Sequence, residues 1–262
     1  MTEQAMVFDI ETIRNEQHMR FCPPFDMPLE FDQSQVKLGN LKDPEKIAKK
    51  LLEAELGWPA FRAKAEAAHI GAFKSMCSLS ALTGKIACIS YAIDGASWVE
   101  IDGSSIDPDD VAAKRDIIEE DFPSETALLK SFWEQWNKYE WMIGFASKGF
   151  DLPFIIQRSW INKIPIGINP VEKDNPKHID LMNVWRQWAW RPKESDETRV
   201  KENLENICAV FGIEGKLKGE NNESIGSNYD YYWNNKFGDA VEYAYQDIIM
   251  TKKLAEILVP RL

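Results

Sequence analysis

Six residues near the amino terminus, Met6-Val7-Phe8-Asp9-Ile10-Glu11, alternate apolar and acidic side chains. A period of two is the mark of a β-strand, whose successive side chains leave opposite faces. Asp9 and Glu11 therefore share one face while Phe8 and Ile10 pack on the other. Two carboxylates on one face of an apolar strand make a metal-binding geometry, and the fold has to be built around a strand that starts almost at the first residue. Taken alone, D-x-E is more often a solvated acidic edge; Asp43-Pro44-Glu45 repeats the pattern in a different setting.

The rest of the chain predicts an α/β order. A polar, proline-bearing stretch from Cys22 to Asn40 leads into a charged helix from about Pro44 to Ala68, with Asp43 as N-cap and Pro44 at the first helical position. This reads as an insertion over the sheet, at about 22–80. Lys85 to Ile93 and Ser97 to Ile101 are strand candidates joined by Asp94-Gly95, a dipeptide suited to a tight antiparallel hairpin. Ser124 opens an amphipathic helix to about Tyr139, and Trp141 to Ala146 reads as a buried strand. Helix-period segments follow at Phe154 to Trp160, Leu181 to Trp188, Leu204 to Phe211, closed by Gly212, and Asp239 to Leu258. Two polar segments, Arg191 to Asn203 and Glu214 to Lys236, read as mobile loops.

With 262 residues, 44% hydrophobic, the chain suits one large folded domain over residues 1–262. The apolar runs are far shorter than a bilayer span, and the amino terminus lacks the basic and apolar regions of a secretory leader, so a cytoplasmic protein without membrane contact is expected. Four scattered cysteines signal neither a disulfide scaffold nor a zinc site. Aromatics at helical spacing, such as Trp185 and Trp188, read as core rather than as a stacking surface. A net charge of −11 argues against a protein that coats nucleic acid electrostatically. That objection is met if some of the acids hold divalent cations, which then dominate the local charge.

Two further segments carry chemistry. On the last helix, Tyr243 and Asp247 are four residues apart and share a face, a phenol beside a carboxylate that is suited to orienting water. Between the two ends lies Gly144-Phe145-Ala146-Ser147-Lys148-Gly149-Phe150-Asp151-Leu152-Pro153, a strand running through a glycine turn into a helix, with Asp151 near the helix start. An N-cap is the ordinary use of such an Asp. Three weak signals in this order are stronger than any one.

The set Phe8-Asp9-Ile10-Glu11-Thr12, Phe150-Asp151-Leu152-Pro153 and Tyr243-x-x-x-Asp247 resembles the three exonuclease motifs of the DEDDy group. It looks closest to the 3′–5′ exonucleases related to the proofreading domain of family B DNA polymerases; Asp180-Leu181-Met182 and Asn203-Leu204-Glu205-Asn206-Ile207-Cys208 are also similar to that group. The resemblance implies an RNase H-like fold, a mixed central β-sheet flanked by helices. It implies that Asp9, Glu11, Asp151 and Asp247 are the metal-associated carboxylates and that Tyr243 positions the attacking water. The histidine branch would place His five residues before the last Asp; position 242 is Glu, so the tyrosine branch is implied. Family B proofreading domains commonly carry Asn five residues before the second-motif Asp, where this chain has Ala146.

Four carboxylates from separate elements suit two Mg²⁺ or Mn²⁺ ions, since hard cations take oxygen ligands and keep several waters. Tyr243, neutral at working pH, would orient water rather than act as a phenolate. Thr12 could offer donors to the terminal nucleotide, and Phe150 either stacks on it or belongs to the core. The expected reaction is hydrolysis of single-stranded DNA from its 3′ end, releasing nucleoside 5′-monophosphates. An exoribonuclease and an inactive nucleic-acid-binding module stay open as alternatives. The chain leaves no room for a polymerase domain, so a polymerase or repair partner would act in trans.

Overall fold

The computed structural model describes residues 4–101, 104–106, 125–172, 175–188 and 201–260. Among these residues six strands form one mixed sheet: β1 (Ala5–Arg14), β2 (Gly84–Ile93), β3 (Ala96–Ile101), β4 (Ser104–Ile106), β5 (Trp141–Gly144) and β6 (His178–Asp180). Their order across the sheet is β4-β3-β2-β1-β5-β6. β1 is central, antiparallel to β2 and parallel to β5, and β5 runs parallel to β6. The β2–β3 hairpin turns at Asp94-Gly95, where Gly95 takes a positive φ of 75° that costs glycine nothing.

The α-helices among the described residues are α1 (Pro44–Met76), α2 (Glu125–Lys138), α3 (Asp151–Ile161), α4 (Leu181–Gln187), α5 (Leu204–Val210), α6 (Tyr229–Asn235) and α7 (Phe237–Leu258). The alternation on β1 decides which helices lie where. Met6, Phe8 and Ile10 pack into a core with Phe132, Trp133 and Trp136 of α2 and Phe154 and Ile155 of α3. Ala5 and Val7, on the opposite face, pack with Ile248, Met250 and Leu254 of α7 and with Ile207 of α5. Asp9 and Glu11 continue the face that Ala5 and Val7 begin, so the same parity that sends two small apolar side chains towards α7 sends the two carboxylates there as well.

A second device ties the first layer together. Arg158 on α3 forms a two-point ion pair with Glu125 at the start of α2, Nε to Oε1 at 2.8 Å and Nη2 to Oε2 at 2.6 Å. Glu125 also accepts the Ile86 backbone N–H at 2.8 Å, and Arg158 donates to the Ala81 carbonyl at 2.8 Å. Every strong donor and acceptor in this buried network has a partner, which is the condition for a buried pair to be tolerated.

Several expectations need adjusting. α1 runs to Met76, beyond the expected end, and buries none of its residues. The segment 214–236 is not simply a loop: Tyr229, Tyr232 and Trp233, at helical spacing, are buried and form α6 against α7. The polar residues around these aromatics hid the pattern. β6, three residues long, lies where only helices were expected, because a strand this short shows no periodicity. The start of the helix expected from Ser124, and most of the segment from Arg191 to Asn203, fall outside the described residues.

Candidate metal centre

β1 and α7 build the site from opposite sides. One ligand oxygen each from Asp9, Glu11 and Asp247 can be chosen so that all lie within 4.8 Å of one another. Tyr243 precedes Asp247 by one turn on the buried face of α7, and both are almost fully buried, at 5% and 3% exposure. β1 shifts its register with β2 between Glu11 and Thr12, so the acidic pair sits where the strand is locally irregular.

Asp151 is the first residue of α3 but does not cap it: the N-cap is Phe150, and no side-chain bond closes that helix end. Instead Asp151 Oδ1 accepts the Ile10 backbone N–H at 3.2 Å, reaching across to β1 between Asp9 and Glu11. The turn that delivers Asp151 is held by Asp180. This carboxylate accepts the backbone N–H groups of Ala146 and Lys148, each at 3.0 Å, and caps α4 through Met182 N–H at 2.9 Å. Ala146 has a φ of 57°, the left-handed region in which asparagine and glycine are easier than alanine.

The remaining candidates stand apart. The Thr12 hydroxyl donates to the Ser78 carbonyl at 2.7 Å, so its proton is engaged within the protein. Phe150 is half-buried, its ring 5.5 Å from that of Phe154 at the edge of the first core.

The site also contains a residue that no local pattern marks. Lys216, in the polar segment after α5, donates from Nζ to Tyr243 Oη at 2.9 Å and forms an ion pair with Asp247. It is one of 31 Lys and Arg in the chain, and its role depends on a contact 31 positions away.

Burial and like charge govern the electrostatics. Burial first, then Asp151 and Asp247, hold the Asp9 carboxyl well above its ordinary range, and Lys216 pulls the other way. Glu11 is raised in the same manner by burial, Asp9 and Asp247. Asp151 is pushed up to about 7, chiefly by burial, with the Ile10 N–H opposing. Burial raises Asp247 against the pull of Lys216. Burial works against the Lys216 ammonium, but Asp247 and Tyr243 more than offset it and keep the lysine charged. Tyr243 is raised by burial and by Asp247, which keeps its phenol protonated.

One lysine does not balance four carboxylates. Moreover, Asp247 Oδ1 is buried with no hydrogen-bond partner among the described residues. An all-oxygen donor set, an excess of negative charge and an unpaired carboxylate oxygen fit a hard divalent cation.

The comparisons with known proteins agree with this architecture. Residues 104–259 match the model of the RNase_H superfamily. The chain belongs to that superfamily. A family B DNA polymerase from the hyperthermophilic archaeon Pyrobaculum calidifontis has a similar structure, with a TM-score of 0.53 and 14% identity over 99% of this chain. The match covers 25% of the polymerase, so this superfamily member spans about a quarter of that chain's length. At such low identity the likeness shows the fold alone, and it is the RNase H-like fold that the three motifs implied. No curated protein matches the sequence at a significant level. Among the described residues no helix is long and apolar enough to cross a membrane.

Proposed function

We propose that this chain is a metal-dependent 3′–5′ exonuclease of the DEDDy group, hydrolysing single-stranded DNA to nucleoside 5′-monophosphates. The observation that carries the reading is the convergence of Asp9 and Glu11 from β1 with Asp247 from α7, beside Tyr243 on the same helix face. Nothing in the core packing calls for this cluster of like charges, which costs the metal-free protein stability.

Asp9, Glu11 and Asp247 would hold the cations, with Asp151, which accepts the Ile10 N–H of β1, completing the set. Two Mg²⁺ or Mn²⁺ ions bound there would supply activation of water and stabilisation of the leaving 3′ oxygen. Tyr243 stays neutral and orients the attacking water through its hydroxyl. Lys216 anchors that hydroxyl, because its ammonium donates to the phenol oxygen and leaves the phenolic proton to be directed elsewhere. Asp180 positions Asp151 by pinning the turn before it. Proofreading or repair alongside a polymerase is the context that the likeness to part of a family B DNA polymerase supports.

The direct test is product analysis on a single-stranded DNA oligomer and its RNA counterpart. With Mg²⁺ or Mn²⁺, nucleoside 5′-monophosphates should appear from DNA, and EDTA should abolish them. Release from RNA alone would reassign the substrate, and release from neither would remove the exonuclease reading.

A further inference from the structure

The carboxylate cluster explains where a bond would be cut, but not how a strand is held by a chain of net charge −11. A polyanion needs a local exception to that balance. One lies where α1 ends. This helix buries none of its residues, yet its last turns form one wall of a cleft of about 270 Å³. Lys74 and Ser75 line that wall, Ser78 lies just beyond the helix end, and Arg14 of β1, Ser227 and Tyr231 complete the lining.

Three features connect this cleft to a polynucleotide. The first is charge. Asp230, also in the lining, is engaged by Arg14 through Nε at 2.9 Å and through the Arg14 backbone N–H at 3.0 Å. With Asp230 answered by Arg14, Lys74 leaves the cleft positive in an acidic protein. The second is the exposed ring of Tyr231, 53% accessible, which offers a stacking surface indifferent to base identity. The third is continuity with the site. Arg14 follows Glu11 by three residues on the same strand. Gly226, in the cleft wall, lies so close to Tyr243 that a Cβ added to it would be 2.5 Å from the tyrosine oxygen. The cleft wall therefore abuts Tyr243, one turn before Asp247 on α7.

We propose that this cleft is a strand subsite, taking a phosphodiester and its base upstream of the terminal nucleotide. Lys74 neutralises the phosphate, the Ser78 and Ser227 hydroxyls donate to its oxygens, and Tyr231 stacks the base. This rests on the nuclease reading of the carboxylate cluster, and it gives the insertion helix a task, that of carrying Lys74 to the strand. A hollow of about 490 Å³ beside α3 is lined mainly by apolar residues such as Leu152, Pro153, Ile156 and Trp160, and there Lys148 is offset by Glu172, so it suits a phosphate less well.

The test is fluorescence anisotropy of a labelled single-stranded DNA oligomer, with Mg²⁺, on the Asp9→Asn protein so that the strand stays intact. Lys74→Glu in this background should weaken binding about tenfold at low salt, and should reduce the slope of log affinity against log salt by about 0.7 for the lost phosphate contact. Tyr231→Ala should weaken binding at least about fivefold. Lys49→Glu, the same charge reversal at an exposed position earlier on α1, should bind like its parent. The proposal is overturned if Lys74→Glu and Tyr231→Ala bind unchanged, or if Lys49→Glu loses as much as Lys74→Glu. Displacement of the oligomer by poly-glutamate as readily as by unlabelled DNA would overturn it in favour of an acidic protein partner. Wild-type cleavage, assayed separately, keeps the two claims apart. Cleavage with unaltered binding in both variants removes the subsite alone, whereas weakened binding without any cleavage removes the nuclease reading and leaves the subsite.

Discussion

Asp9 is held where a carboxylate is uncomfortable, half-buried and facing Asp151 and Asp247. Asp9→Asn keeps the shape and removes one charge from the cluster. The metal-free variant should therefore melt higher than wild type, by roughly 2–4 °C for each kcal/mol of repulsion relieved, while hydrolysis falls to background. Differential scanning calorimetry with EDTA reads the first, and an equal or lower melting temperature would mean that Asp9 pays no such penalty. Much of this arrangement is legible in the sequence, because each part follows from a short period: two on β1 for Asp9 and Glu11, and a four-residue step on α7 for Tyr243 and Asp247. Lys216 is not legible. It stands in a polar run, and only the fold brings it to Tyr243 and Asp247. The detailed use of Asp151 is likewise hidden: its place at a helix start suggests a cap, but its oxygen goes to Ile10.

At the scale of elements, the site depends on how closely the segment before α6 approaches α7. Gly226→Ala would set a methyl 2.5 Å from Tyr243 Oη and 3.1 Å from its Cζ, so either the loop or the ring must move. A displacement of about 1 Å at a positioning group can cost about a hundredfold in rate, and Gly226→Ala should lose that much activity with an unchanged far-ultraviolet circular dichroism spectrum. Full activity would show that Tyr243 need not stay where α7 and Gly226 hold it. A second element-level prediction concerns the Arg158–Glu125 network. Arg158→Ala strands a buried carboxylate and should cost about 3–5 kcal/mol in denaturant unfolding, whereas a surface pair would cost less than about 1 kcal/mol. The long, strongly patterned elements β1, β2 and α7 are the ones that the sequence anticipates well. α6 and β6 escape notice because the first is masked by its polar neighbours and the second is too short for any period to show.

For the whole molecule, the cluster makes stability depend on pH and on cations. A carboxyl whose folded pKa is raised loses its proton later in the folded than in the unfolded state, so stability falls as pH rises from the unfolded value through the folded one. For Asp151 this window runs from 3.8 to about 7, and for Asp9 and Glu11 it extends upward in the same direction. His178, lowered to about 3 mainly by burial, acts oppositely: its contribution grows with pH only up to its unfolded value of 6.5. Above pH 6.5 the His178 contribution no longer grows. The melting temperature in EDTA should therefore drop as pH rises from 6.5 through about 7, at up to roughly 1.4 kcal/mol per pH unit for each carboxyl still protonated in the fold, and Mn²⁺ should flatten the drop. A flat metal-free profile would contradict the electrostatic account. If the carboxylates gathered by β1 and α7 cut a strand from its 3′ end, a 5′-labelled single-stranded DNA oligomer given Mg²⁺ or Mn²⁺ should yield a ladder that shortens progressively from the 3′ end. The ladder should be absent with EDTA and with folded Asp9→Asn protein. An intact oligomer with every metal, or the same ladder from Asp9→Asn, would contradict this role of the carboxylates.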